Sequence, residues 1–571
     1  MKNPWLLPTL LIALASWSGA QAPSPAPAET PKPAAEKPKP PAEREMPPDV
    51  QAFNDANKIS DPEKKIAALQ KFKSDFPKSS MLAAVDTDIL SVLVKSFPAQ
   101  TDRIRNMAKS ITAGDPKTRG QREASVASQL LEASVLLKDA RGYARKSVQA
   151  MNEAAYVQEQ REGYAKRKQK GPSDEELRKR FRESRANRVG TLGRIEVKLG
   201  DVNNGRKLLE ESYAVNANQP AVAAVLGELA AKAGSDSKAL DYLVTARLSG
   251  KAPASSLAAL DALYRKTHNG SLDGLDAMLD SEYHKRYPNP LHLEPFQPSE
   301  KRTDRVVLAE VFTGAGCPPC VAADLAFDAA AERYSRKDLT ILMYHQHIPR
   351  PDPMTTLETT ARFKFYDGRG VPTFAIDGAA KSGGGGRENT KDVYARFKPE
   401  LEHELELPSE AHVSVGASLS GSKVNVKALV KDVKTESKDL RLQIVLAEKE
   451  LRYSSENGVR FHPMVVRAIG GPKAEGFALT AQGGTFEQAF DLDQISAAIK
   501  NHLDDYEAGG HRGESFKFSE KKYEIAHNDL AVVVFVQDTK TRHVLQAGYL
   551  DLSVPGEHRI TESEAGIGDG K

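Results

Sequence analysis

Cysteine is almost absent from this chain, with two residues among 571. That excludes a disulfide-stapled scaffold, a four-cysteine zinc site and a four-cysteine iron–sulfur cluster. No charge of one sign dominates either. Eighty Lys and Arg stand against 77 Asp and Glu, a net charge of +3, so no strong field selects nucleic acid or an anionic membrane as a partner. Beyond the N-terminus no stretch reaches the roughly 18 uninterrupted apolar residues of a membrane span, so the mature chain is expected to be soluble. What is present is the placing of the two cysteines. They are Cys317 and Cys320, separated only by Pro318 and Pro319. With 40% apolar and 27% charged residues the composition is that of globular protein, and at roughly 100–200 residues per domain the length implies several domains.

Residues 1–20 read as a secretory signal peptide. Lys2 supplies the positive start, Trp5–Trp17 is mostly apolar but too short to span, and Ser18-Gly19-Ala20 offers small residues for cleavage after Ala20. Pro8 and the short run argue against an uncleaved anchor, and Pro23 against cleavage after Ala22. The expected location is periplasmic or otherwise exported, an oxidising compartment where a Cys-x-x-Cys pair can cycle. Residues 21–48 hold ten prolines in 28 positions, the composition of a semi-rigid linker.

Residues 49–290 carry apolar residues at helical spacing. Leu192-Gly193 recurs as Leu226-Gly227, Gly200 as Gly234, and Leu209 as Leu243, each 34 positions on. Gly205 and Ala239 are small at equivalent points, and Pro220 suits a helix start. This pattern resembles tetratricopeptide repeats, whose period is about 34 residues. The expected aromatic near each repeat start is Val189 and Ala223 here, so the resemblance is degenerate. An earlier stretch, Asp61-Pro62 through Phe72 and Pro77, resembles the second helix of one repeat. The resemblance implies an α-solenoid, serving as a partner-binding surface or as a scaffold. The basic runs 161–170 and 178–188 contain or adjoin Glu175, Glu176 and Glu183 and read as solvated helix faces rather than nucleic-acid contacts.

Arg305–Phe312 is a Val-rich strand pattern, Thr313–Gly316 a turn, and Val321–Tyr334 a helix pattern. Cys317 therefore lies where a helix opens, and the positive end of its dipole favours a thiolate. Such a thiolate attacks a substrate disulfide, and Cys320 resolves the mixed disulfide. At this point residues 298–406 resemble the thioredoxin fold. Lys337–Gln346 matches the next strand, Leu357–Tyr366 the following helix, and Gly370-Val371-Pro372-Thr373 the family's cis-proline element. Phe374–Asp377 matches a further strand, and Asp392–Leu405 the closing helix. The resemblance implies Cys317 and Cys320 as catalytic residues and Val371 and Pro372 as substrate-facing ones, with no cofactor and no metal. With no third cysteine to relay electrons, a separate redox partner protein is expected beside a protein disulfide substrate.

Three departures are informative. Gly316 replaces the tryptophan usual before the first cysteine, which is expected to leave the sulfur less shielded. Glu310 is the nearest candidate for a buried tuning acid, but it is one residue out of register, and that turns a strand side chain to the other face; a rim position fits it better. Pro318 and Pro319 offer the thiolate no N–H, so a modestly lowered Cys317 pKa and a reducing potential are expected. Two rivals remain. One is an inert disulfide, although so small a loop stabilises little. The other is a copper site of Cys317, Cys320 and His345 or His347, as in thioredoxin-like copper chaperones of the SCO type, which place three residues between their cysteines.

Residues 409–555 show strand patterns at Ala411–Val433, Leu440–Arg452 and Leu530–Ser553, with a helix at Asp491–Tyr506. An immunoglobulin-like β-sandwich is expected, and the arrangement also resembles the C-terminal half of the Omp-twenty-eight-like envelope proteins. His462 and Arg467 read as packing or solvent positions, and residues 556–571 as a flexible tail. The whole reads as an exported thiol-disulfide oxidoreductase, reductase or isomerase, acting on envelope proteins. The alternative is a non-catalytic adaptor that binds partners through its helical repeats.

Overall fold

The computed structural model describes residues 47–511 and 516–553. The expected signal peptide, nearly all of the proline-rich linker and the C-terminal tail lie outside them. Thirteen α-helices come first: α1 (Pro48–Asn57), α2 (Pro62–Asp75), α3 (Leu82–Ser96), α4 (Thr101–Ala113), α5 (Pro116–Glu132), α6 (Leu137–Gln149), α7 (Glu153–Lys166), α8 (Asp174–Lys198), α9 (Val202–Val215), α10 (Pro220–Lys232), α11 (Asp236–Leu248), α12 (Ala254–Thr267) and α13 (Leu275–Arg286). Their starts follow the sequence. Asp61 caps α2 by accepting from the Lys64 amide, with Pro62 in the first turn, and Pro220 opens α10.

The 34-residue repeat has a structural cause. Gly193 of α8 lies against Leu209 and Gly205 of α9, and a Cβ there would come within 2.9 Å of Leu209 Cγ and 3.0 Å of the Gly205 carbonyl. One period later Gly227 of α10 lies against Leu243 of α11, where a Cβ would stand 2.7 Å from Leu243 Cγ. The repeated Leu-Gly thus marks where paired helices approach too closely for a side chain. Gly200 and Gly234 leave α8 and α10 at φ values of +93° and +70°, the left-handed ending that glycine adopts without strain. Helices α7 and α8 carry the basic runs, and Arg180 and Arg185 pair with Glu176 and Glu211 at the surface.

A mixed-sheet region follows. It comprises β1 (Val307–Thr313), α14 (Val321–Arg333), β2 (Leu339–His345), α15 (Leu357–Phe365), β3 (Thr373–Ile376), β4 (Ala379–Ser382) and α16 (Thr390–Glu404). It continues with β5 (His412–Ser420), β6 (Lys423–Lys431), β7 (Leu440–Arg452), β8 (Phe461–Ile469), β9 (Phe477–Ala478), β10 (Gly484–Asp491), α17 (Leu492–Gly509), β11 (Leu530–Asp538) and β12 (Val544–Asp551). Strand β1 pairs in parallel with β2 and antiparallel with β3, and β3 with β4. Every residue of β1 and β2 is buried, as strands covered on both faces must be.

The sheet does not stop at the boundary expected between residues 406 and 409. Met343 of β2 pairs in parallel with Val465 of β8, so the order runs β12-β11-β7-β8-β2-β1-β3-β4, with β9 on β7. A second sheet, β10-β6-β5, packs on β7 and β11 through Val424, Val426, Leu442, Ile444, Val532 and Val534. The sheet-on-sheet packing expected for the C-terminal part is present, but one of its two sheets is the sheet that carries the cysteines. Along β1 the faces alternate. Val307, Ala309 and Val311 pack under α14 and α16, while Leu308 and Phe312 pack with α15 and strands β7, β8 and β11.

Candidate functional site

Strand β1 delivers the chain to the turn Gly314–Cys317, and Cys317 is extended (φ −101°, ψ 103°) before a single 3-10 turn, Pro318–Cys320, that leads into α14. Cys317 and Cys320 form a disulfide. The α-helix proper therefore opens after Cys320. Backbone bonds close the turn, from Cys317 N to Gly314 O at 3.0 Å and from Cys320 N to Cys317 O at 3.2 Å.

Val371 and Pro372 stand beside the pair. The Val371–Pro372 peptide is cis, and Cys317 Sγ lies 3.7 Å from Val371 O. In the disulfide that sulfur carries no proton; once reduced, its S–H can donate to the carbonyl. The segment 383–386 closes the other side. Gly385 N donates to Pro319 O at 2.8 Å and Ala322 N to Gly385 O at 3.1 Å, and a Cβ on Gly384 would strike Pro319 O at 2.1 Å and Pro372 Cγ at 2.5 Å. The sulfurs are not left open by Gly316. Cys317 is 1% exposed and Cys320 0%, and the Arg350 side chain packs across Gly316, where a Cβ would meet Arg350 Cβ at 2.8 Å. The expectation of a less shielded sulfur is corrected: Arg350 fills the space that a larger side chain would occupy.

Glu310 is fully buried but turned away from the cysteines. It shares the face of Leu308 and Phe312, and Arg362 of α15 donates to both its carboxylate oxygens at 2.7 and 2.8 Å while Tyr366 Oη donates at 2.5 Å. It is a structural anion of the sheet's other side, neither a rim residue nor a neighbour of Cys320. The acid near the second cysteine is Asp324, one helical turn after it on α14. Burial pushes its carboxyl up to about 7, partly offset by the Thr313 hydroxyl and by His345.

His345 ends β2 and His347 lies beyond it, each with different ring neighbours. His345 is held by Asp352 at 2.8 Å, and its ring lies 5.1 Å from that of His462. His347 accepts from Asp352 N at 3.0 Å and stacks on Tyr506 of α17, ring centres 3.7 Å apart; burial pushes it down to about 4. His462 is also held neutral by burial, pushed down to about 3, and bonds Tyr453 O at 3.1 Å. Arg467 is buried against Glu448 at 3.0 Å. His345, His462 and Arg467 are interior residues, and His347 is half-buried. Among the described residues no three His, Cys, Asp or Glu converge as a metal ion requires.

Two positioning residues escape the sequence reading. Asp352 accepts from Ala315 N at 2.6 Å and Met354 N at 2.8 Å. Burial raises its pKa, but these bonds and His345 outweigh it and keep the carboxylate ionised. Asn457, from the β7–β8 loop, reaches the same turn: its amide N–H donates to Ala315 O at 3.0 Å, and its side chain lies 3.4 Å from Gly314 O and Cys317 O. Asp324 had a readable signal, since four residues along a helix returns to the same side. Asn457 had none, being 140 positions from Cys317.

No model of a known protein family matches the chain, and no curated protein matches it. Among solved structures it is similar to one from the functional characterization of Pseudomonas aeruginosa pilF, at 16% identity and a TM-score of 0.28, over 42% of this chain and 94% of that one. It is also similar to a chain of the APC/C hetero-tetramer Cut9-Hcn1, at 16% identity and 0.18, over 40% and 45%. A third is the TPR2AB-domain:pHSP90 complex of yeast Sti1, at 12% identity and 0.15, over 42% and 97%. By its own geometry the chain joins a helical-repeat region to a mixed sheet that holds one disulfide at a strand–helix junction.

Proposed function

We propose that this protein is an exported thiol-disulfide oxidoreductase whose redox centre resembles that of thioredoxin-like proteins. The observation that carries the reading is the Cys317–Cys320 disulfide at the junction of β1 and α14, with Val371 O 3.7 Å from the first sulfur. The order β2-β1-β3-β4, with α14 and α16 on one face and α15 on the other, supports it. In the reduced enzyme the Cys317 thiolate attacks a substrate disulfide. A sulfur–sulfur bond forms to the substrate, and one substrate thiolate leaves and takes a proton. Cys320 then attacks Cys317, releasing the second substrate thiol and restoring the intramolecular disulfide. Two electrons pass to the substrate, and an external dithiol must return them. A carboxyl that titrates near neutral pH one turn from Cys320, as Asp324 does, is suited to exchange that thiol's proton.

The test is insulin reduction by dithiothreitol, with and without the protein. Wild type is expected to accelerate it and Cys317→Ser to add nothing; equal rates would sink the proposal. Cys320→Ser should trap substrates as mixed disulfides. The second reading, a non-catalytic adaptor, draws on the burial of both sulfurs and on the thirteen helices that precede the sheet; an empty trap would favour it.

A further inference from the structure

Besides Arg350, which crosses Gly316, the segments 370–372 and 383–386 and the loop 453–460 between β7 and β8 pack against the turn that carries the disulfide. The first two adjoin β3, which pairs with β1, and β4, which pairs with β3. The third is different. Besides the Asn457 contacts, Val459 packs on Val321 and Leu325 of α14, and Glu456 pairs with Arg350 at 2.5 Å, the residue that crosses Gly316. The loop's far side is gripped by the helical region. Arg460, only 2% exposed, reaches Asp280 at 2.7 Å and Asp276 at 3.2 Å on α13, and Arg452 reaches Asp280 at 2.9 Å. Gly250, between α11 and α12, lies so close that a Cβ would stand 2.3 Å from the Ser455 backbone.

We propose that loop 453–460 is an autoinhibitory lid over Cys317–Cys320, latched shut by Asp276 and Asp280 through Arg460, so that the helical region controls entry to the redox centre. This rests on the oxidoreductase reading above and adds its regulation. Thiol–disulfide exchange needs the attacking group to reach a sulfur, and neither sulfur is reachable while the lid is in place. Gly385 ties segment 383–386 to Pro319 of the site's own turn and to Ala322 of α14, whereas Arg460 ties the lid by two ion pairs to α13. The ion pairs at its base are the ones that a partner bound to α13 would compete for.

The test uses the full oxidised chain, a water-soluble phosphine as reductant, and counting of the thiols formed by alkylation and mass. Arg460→Met removes the latch and keeps the side-chain bulk. Glu456→Ala removes an exposed tie and does not depend on tolerance of a buried change. Both should be reduced faster than wild type, by about tenfold for Arg460→Met, the change in open fraction that about 1.4 kcal/mol brings. Hydrogen exchange at the Asn457 amide should rise in step. Wild-type rates of reduction in both variants would overturn the lid, whether or not that amide exchanges faster. The oxidoreductase reading fails separately, if the chemically reduced wild type and variants leave insulin intact while their own disulfides still differ in rate.

Discussion

Around the cysteines, Asp324 is the side chain whose charge changes near neutral pH. Its folded-state pKa stands at about 7 against 3.8, so the protonated form is the one the fold favours. Its contribution is fully present below about 3.8 and is lost as pH rises through about 7. Asp324→Asn, which keeps the shape and cannot ionise, should remove that part of the pH dependence. Urea unfolding at pH 4 and pH 7 checks this: wild type should lose stability relative to the variant, on the order of 1.4 kcal/mol per unit of pKa difference. Parallel curves would show that the carboxyl is not held neutral. The cysteines themselves should poise on the reducing side. Prolines fill the positions between them, and a carbonyl oxygen faces Cys317, so little stabilises a thiolate beyond the helix start. A measured potential near about −120 mV, that of a strong oxidant, would contradict this. The pair was readable from the sequence because its spacing is local, whereas Asp352 and Asn457 reach the turn from loops whose paths no short-range pattern records.

At the scale of elements, two packing arguments predict lost stability with the redox centre left unchanged. Glu310 and Arg362 are a buried pair that joins β1 to α15, and Arg362 reaches Gln537 of β11 at 2.7 Å. Removing one partner strands the other charge, at a cost of about 3–5 kcal/mol. Glu310→Gln should therefore lower the denaturant midpoint strongly while leaving the redox potential unchanged, because it faces away from Cys320. A shifted potential would contradict that placement. Gly227→Ala drives a methyl into Leu243 and should destabilise the helical region by about 1–3 kcal/mol, visible as faster amide exchange in α10 and α11 with no change at α14. Individual elements were legible. Leu440–Arg452 is β7 to the residue, and Leu357–Tyr366 differs from α15 only in its last position. Their joining was not. The link from β2 to β8 rests on the pairing of Met343 with Val465, and strands buried on both faces give no alternation from which a partner could be read.

For the molecule as a whole, the continuous sheet binds the redox centre to the C-terminal strands. Residues 298–406 alone would uncover Leu308, Phe312, Tyr344 and Phe363, which pack with Val445, Met464, Val533 and Phe535, and would leave β2 with an unpaired edge. Expressed alone, that fragment should aggregate or unfold; a soluble, cooperatively folding fragment would contradict the account. Among the described residues no helix is long and apolar enough to cross a membrane.

The ties of β1 reach far along the chain: Arg305, at its entrance, donates to the carbonyl of Val544, 239 positions later. Synthesis proceeds from the N-terminus, so the cysteines emerge well before the residues that enclose them. Asn457 follows Cys317 by 140 positions, roughly 7–30 s at about 5–20 residues per second. Over that stretch of chain the two thiols are near neighbours without the segments that bury them, so an unfolded chain entering an oxidising compartment can form the disulfide before those segments dock. The disulfide's first history is then a matter of timing during folding, a race between two thiols that meet locally and enclosing segments that arrive from far along the chain.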